Sequence, residues 1–298
     1  MIEYGLLVAN AAQQAAVLTI AVAVGGCFLT APAVSDGSAE PSVAVVVAAA
    51  AASRPEPMIA VGEPGRQPLE SLQAPAPFLD LPVPHHRDAV VSLPLGATTP
   101  RPVLVAAHGA GDRPEWQCTM WRGIVGDRAF VLCPRGFPMN PYVPPSDTGY
   151  FYTTHHALGR EITLAFEALR ARFPDHVDAE APAYAGFSQG AIMGALLLPN
   201  HPVRFTRAAL VEGGYGLFQE WNIPVAQRFQ RRGGGRVLLA CGRPECAEQA
   251  QVTAGYMRRA GLEARVVHAE GAGHSYGGVM EEELRRVFAW VIEGDPRW

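Results

Sequence analysis

Residues 183–192 read Ala183-Tyr184-Ala185-Gly186-Phe187-Ser188-Gln189-Gly190-Ala191-Ile192. An apolar run leads into a Gly-x-Ser-x-Gly centre, and the chain continues as SQGAIMGALLL, whose apolar residues recur at helical spacing. The pattern predicts a strand, a sharp turn carrying Ser188, and a helix. In such a turn the chain on both sides of the serine passes so close that small residues are required, and Gly186 and Gly190 supply them. The plainer alternative is a tight turn with a helix-capping serine. With 31 glycines in the chain the five-residue pattern alone says little, and its place at a strand-to-helix joint makes it informative.

Working outward, short apolar runs at 89–95, 102–107, 129–133, 181–187, 208–212, 236–241 and 264–268 alternate with helical patterns at 155–173, 188–198, 247–260 and 276–292. That alternation implies an α/β fold, a mostly parallel sheet with helices on both faces.

The chain has 298 residues, 49% of them hydrophobic, enough for a large core. A net charge of −4 without a basic stripe argues against nucleic acid as a partner. All 24 basic residues are arginine. The lack of lysine excludes a phosphate-loop lysine, a Schiff-base lysine and a serine–lysine dyad.

The amino-terminal third is different in kind. Residues 1–30 contain an uncharged Ala/Val/Leu-rich stretch and read as a signal peptide or an amino-terminal anchor, although the opening MIEYG carries no cation. Val24-Gly25-Gly26-Cys27 resembles a bacterial lipobox, which would make Cys27 a lipidation site and attach the protein to a membrane through its amino terminus. Residues 31–84, rich in Ala, Pro and Val, read as a disordered linker, and residues 85–298 as the catalytic domain. The expected location is outside the cytoplasm, in the cell envelope as a lipoprotein or secreted. Setting Cys27 aside leaves Cys118, Cys133, Cys241 and Cys246. Pairing of 118 with 133 and of 241 with 246 is expected because each pair falls on neighbouring loops; the alternative is four free buried thiols.

If Ser188 is a nucleophile it needs a base. His274, in the loop GAGHSYGG before the last helical pattern, is the candidate. His85 with His86 and His155 with His156 form adjacent pairs without metal-ligand spacing, and His268 lies within a strand. The base needs a carboxylate, and no aspartate stands between Asp178 and Asp295. Of the six glutamates between Ser188 and His274, Glu245 in the loop CGRPEC is preferred on its position after a strand, and Glu212 in AALVEGG is the alternative. Oxyanion donors are expected from the backbone N–H groups of Gln189 and of Ala110, or alternatively Gly111, in His108-Gly109-Ala110-Gly111-Asp112; the His108 ring would fix that loop.

Taken in order, HGAGD at 108–112, GFSQG at 186–190, Gly242-x-x-Glu245 and GAGHSY at 271–276 resemble the α/β-hydrolase superfamily. The resemblance covers residues 88–294 and is to small carboxylesterases of the phospholipase/carboxylesterase and polyhydroxybutyrate-depolymerase-like type. It implies Ser188 as nucleophile, His274 as base and the position of Glu245 as acid, a position where such esterases usually carry aspartate. It further implies hydrolysis of a small-molecule carboxylic ester through an acyl-enzyme, with neither metal nor organic cofactor. A non-catalytic surface lipoprotein using the fold for binding, and a peptidase or thioesterase on the same triad, are the competing readings. Around the site, Tyr142, Tyr150, Phe151 and Tyr152 of the loop 134–156, with Trp116 and Trp121, either wall an acyl pocket or pack the loops onto the sheet. No segment is long enough for a separate lid domain, so an open site for a short or medium acyl group is expected.

Overall fold

The computed structural model describes residues 69–216 and 220–298. The expected signal segment, Cys27 and the linker as far as residue 68 lie outside the described residues. No helix among the described residues is long and apolar enough to cross a membrane.

An eight-stranded sheet is built from β1 (Phe78–Leu81), β2 (Ala89–Ser92), β3 (Val103–Ala107), β4 (Phe130–Cys133), β7 (Ala183–Phe187), β8 (Arg207–Val211), β9 (Arg236–Cys241) and β10 (Glu263–His268). Their spatial order is β1-β2-β4-β3-β7-β8-β9-β10. The first two join antiparallel, and from β4 to β10 every neighbouring pair is parallel. A two-stranded hairpin, β5 (Phe137–Pro138) with β6 (Tyr150–Phe151), stands apart from the sheet.

Helices α1 (Pro114–Val125), α2 (His155–Arg172), α3 (Gln189–Leu197), α4 (Ile223–Arg231), α5 (Pro244–Arg259) and α6 (Val279–Ile292) complete the fold. The central strand β3, VLVAA, is buried at every position, as a parallel strand covered on both faces must be. Its alternate residues serve two cores: Val103, Val105 and Ala107 pack with residues of α2 to α5, while Leu104 and Ala106 pack with residues of α1 and α6. This two-sided burial is the physical reason the sheet is rigid enough to aim side chains from its carboxyl edge.

Three differences from the sequence reading stand out. The folded part begins before residue 85: Leu72, Leu81 and Val83 are buried, and β1 pairs with β2, so the last part of the expected linker belongs to the sheet. Residues 114–125, read as a loop, form α1, which opens on Pro114 at a position where its missing N–H costs nothing. Residues 223–231 form α4, whose first turn is capped by the Asn222 side chain accepting from Val225 N–H at 2.9 Å.

The two expected cysteine pairs are bonded. Cys118 with Cys133 ties α1 to the end of β4, and Cys241 with Cys246 ties the end of β9 to the start of α5.

Candidate active site

Strand β7 and helix α3 meet at Ser188, whose backbone is at φ 50°, ψ −114°, a conformation that side-chain-bearing residues rarely adopt. The turn is held by Ser188 N–H donating to the Val211 carbonyl at 2.8 Å and by the Ser188 carbonyl accepting from Ile192 N–H at 3.0 Å. The flanking glycines are obligatory. A Cβ on Gly186 would lie 2.7 Å from the nitrogen of Ala191, and one on Gly190 would overlap the carbonyl of Ala107. The plainer reading of Ser188 as a cap fails, because its side chain makes no capping hydrogen bond to the helix.

The Ser188 hydroxyl instead meets His274, with Oγ to Nε2 at 2.9 Å. The other ring nitrogen, Nδ1, lies 2.9 Å from Oε2 of Glu212. His274 comes from the loop after β10, is 43% exposed at its side chain, and rests against the Phe187 ring with centroids 5.1 Å apart. A neutral imidazole that donates from Nδ1 to the carboxylate presents Nε2 as an acceptor to the hydroxyl, the tautomer a general base requires.

The carboxylate that meets His274 is therefore the alternative, Glu212, and the preference for Glu245 is corrected. Glu212 directly follows β8, turns at φ 53° and has a fully buried side chain. Because β8 is the neighbour of β7, its end lies beside the turn bearing Ser188. Glu245 is exposed in the first turn of α5, where a carboxylate complements the helix dipole. The loop expected to carry the acid furnishes donors to it instead: Gly242 N–H and Arg243 N–H reach Oε1 at 2.5 and 3.3 Å, and Arg243 Nε reaches Oε2 at 2.7 Å. A close grouping of Glu212, Cys241 and Cys246 has ligand-type atoms within 4.8 Å, but the two sulfurs are bonded to each other.

On the opposite side of Ser188, the loop after β3 carries His108 to Asp112. Gly111 N–H donates to the Tyr150 carbonyl at 2.8 Å, so the alternative oxyanion donor is already committed to the hairpin. Among the described residues no acceptor takes Ala110 N–H or Gln189 N–H. The His108 ring is fully buried, faces the Gly109 and Arg135 carbonyls at 2.8 and 2.9 Å and stacks on Tyr152. Burial lowers its proton affinity against the pull of those carbonyls, in keeping with a structural ring.

Sequence reasoning missed how the site is braced. The Gln189 side chain accepts from Tyr152 N–H at 2.8 Å and donates to the Tyr152 carbonyl at 3.1 Å, pinning the hairpin to the serine turn. Asp112 accepts from the Tyr276 hydroxyl at 3.1 Å and from Gln117 at 3.1 Å, joining the loop after β3 to the loop that carries His274. Burial, and then the Asp112 charge, raise the Tyr276 hydroxyl above its ordinary range. The aromatics divide: Tyr150, Tyr152 and Trp121 are buried packing and Phe151 is half-buried, whereas Trp116, Tyr142 and Phe137 are exposed, as is the neighbouring Met139.

No family model and no curated protein matches the chain. Solved structures do. The chain is similar to a putative dienelactone hydrolase from Klebsiella pneumoniae subsp. pneumoniae (TM-score 0.54, 16% identity, 72% of this chain and 97% of that one). It is similar to FphF, a fluorophosphonate-binding serine hydrolase of Staphylococcus aureus (TM-score 0.53, 13% identity, 72% and 97%). It is also similar to TT1662 from Thermus thermophilus (TM-score 0.51, 20% identity, 73% and 98%). These likenesses establish the α/β-hydrolase fold for the part covered.

Proposed function

We propose that this chain is a serine ester hydrolase that works through an acyl-enzyme. The observation that carries the reading is His274 bonded at once to the Ser188 hydroxyl and to the buried Glu212 carboxylate. Neither a binding module nor a tight turn needs that relay. Ser188 Oγ attacks the ester carbonyl as Nε2 of His274 takes its proton, and Glu212 stabilises the imidazolium that forms. Ala110 N–H and Gln189 N–H receive the oxyanion, each donor lowering the barrier by on the order of 3 kcal/mol. The imidazolium then protonates the leaving alcohol. In the second half a water, deprotonated by His274, releases the acid and restores Ser188.

A short or medium acyl group suits the half-exposed His274, with Phe137 and Met139 offering apolar surface on the hairpin beside Gly111. The fluorophosphonate-binding hydrolase of like fold is in keeping with this chemistry. Two disulfides in the catalytic part favour an oxidising compartment, in line with export, and lipidation at Cys27 is proposed as the means of membrane attachment. Loss of lipid labelling in Cys27→Ala is the check on that last point.

For the activity, the purified protein is offered p-nitrophenyl esters of rising chain length, a thioester, a peptide substrate and a fluorophosphonate probe. Ester turnover with labelling at Ser188, both abolished by Ser188→Ala, is expected. No turnover and no labelling would leave the fold as a binding module, and turnover of the peptide or thioester alone would reassign the substrate.

A further inference from the structure

A carboxylate has four lone-pair positions, and those of Glu212 are all filled. Oε1 takes Gly242 N–H and Arg243 N–H, while Oε2 takes Arg243 Nε and His274 Nδ1. Three of the four donors come from one turn, Gly242 to Arg243, which is closed at its base by the Cys241–Cys246 disulfide. Both half-cystines are buried, and Cys241 is anchored through its carbonyl to Ala269 N–H at 2.7 Å. A buried carboxylate needs such donors, yet an arginine is not required for burial alone, since water or a backbone group can fill a single lone pair. What a guanidinium adds is position and charge: it takes the lone pair of Oε2 that His274 does not use.

We propose that Arg243, presented by the disulfide-closed turn, is a positioning residue for the reaction: it holds Glu212 in the rotamer that orients His274 and sets how strongly that carboxylate attracts the imidazole proton. The proposal rests on the hydrolase reading above. Arg243 does not reach Ser188. Its Nη2 lies 3.5 Å from the Tyr215 hydroxyl, and its side chain is 44% exposed. The other groups around His274 are Ser188, the Phe187 ring, and Tyr276 with its partner Asp112; Glu245 adds a negative charge near Arg243. Arg243 is the cation set directly on Glu212, so its removal leaves the carboxylate more negative toward His274 and raises the affinity of the imidazole for a proton.

The test uses the full chain with both disulfides and the variants Arg243→Gln and Arg243→Lys. Turnover of p-nitrophenyl acetate is followed as a function of pH, and the His274 ring is titrated by NMR, its signal assigned by loss in His274→Gln. In Arg243→Gln, kcat is expected to fall about tenfold with KM within about twofold. The acid limb of the profile and the His274 midpoint should both move to higher pH. Arg243→Lys should recover part of both. An unchanged kcat and midpoint in Arg243→Gln overturns the proposal, and so does a change in KM alone, which would put Arg243 on the substrate. The NMR titration does not depend on turnover. The expected midpoint shift in Arg243→Gln beside a wild-type protein that hydrolyses nothing would sink the hydrolase reading and the positioning role of Arg243 with it, while active wild type with unaltered variants sinks the positioning role alone. Should Arg243→Gln not fold, Arg243→Lys and Cys241→Ala/Cys246→Ala carry the same two readouts, and wild-type values in both overturn it.

Discussion

Strands β8 and β9 lie side by side, end at the same edge of the sheet and each deliver a glutamate there, but they do opposite work. At the end of β8 the chain turns at once through a left-handed residue, and that residue is Glu212, thrown inward and buried against His274. At the end of β9 the chain runs on through a disulfide-closed turn, and Pro244 then starts a helix that leaves Glu245 exposed at its amino end. One strand end supplies an acceptor and the other supplies the donors that hold it. The contrast teaches that position after a strand is not enough to set a carboxylate on His274: the backbone at the strand end decides whether the side chain faces inward or the solvent.

The largest effect that could break this contrast is Glu212→Gln, which keeps the shape and removes the charge. The amide can turn its NH2 toward Nδ1 and so favour the wrong tautomer of His274, and kcat should fall by about 10⁴-fold with Ser188 still in place. A loss below tenfold, measured by turnover, would move the acid elsewhere.

The two disulfides sharpen the contrast from another side. The 15-residue separation of Cys118 and Cys133 corresponds to about 3 kcal/mol of loop closure, and the 5-residue separation of Cys241 and Cys246 to about 2 kcal/mol. Cys118→Ala/Cys133→Ala should therefore lower the melting temperature more, with kcat nearly intact, because that bond sits in the core where α1 packs on β2 and β4 and makes no contact with Glu212. Cys241→Ala/Cys246→Ala should melt later than that variant yet lose several-fold in kcat, since it loosens the turn that grips Glu212. Equal kcat in the two variants, read from turnover beside calorimetry, would dissolve the distinction.

Smallest of all is Glu245→Gln. With the carboxylate exposed and outside the relay, kcat should stay within about twofold and stability within about 0.5 kcal/mol. A loss of the size set for Glu212 would reverse the assignment of the two glutamates.

Much of this was legible in the sequence, for local reasons. Gly186, Ser188 and Gly190 read correctly because a close crossing admits nothing larger, a demand visible within five residues. The strands at 181–187 and 236–241 read correctly because burial on both faces leaves an unbroken apolar run. Glu212 read only as the alternative to Glu245, because it reaches His274 through a positive φ at a non-glycine residue and through donors 30 residues away, and neither leaves a local mark. The signal that would have found it is topological: β8 is the direct neighbour of β7, so the residue after it adjoins the serine turn. The start of the sheet was hidden by composition, since Pro- and Ala-rich sequence surrounds the four residues of β1. Helix α1 was hidden by its tryptophans, which read as loop aromatics although Trp121 is core. The hairpin was too short for any periodicity.

The backbone of Ser188 has one more consequence. At φ 50° and ψ −114° it carries a conformation that costs a side-chain-bearing residue about 1–3 kcal/mol, and the cost falls on the proposed nucleophile. Replacing it by glycine should relieve that strain, so Ser188→Gly is expected to melt at a higher temperature than the wild type while turning over nothing. Random selection for thermal endurance alone would then drift toward dead protein at this codon, and any programme to toughen the molecule has to screen for turnover at every round.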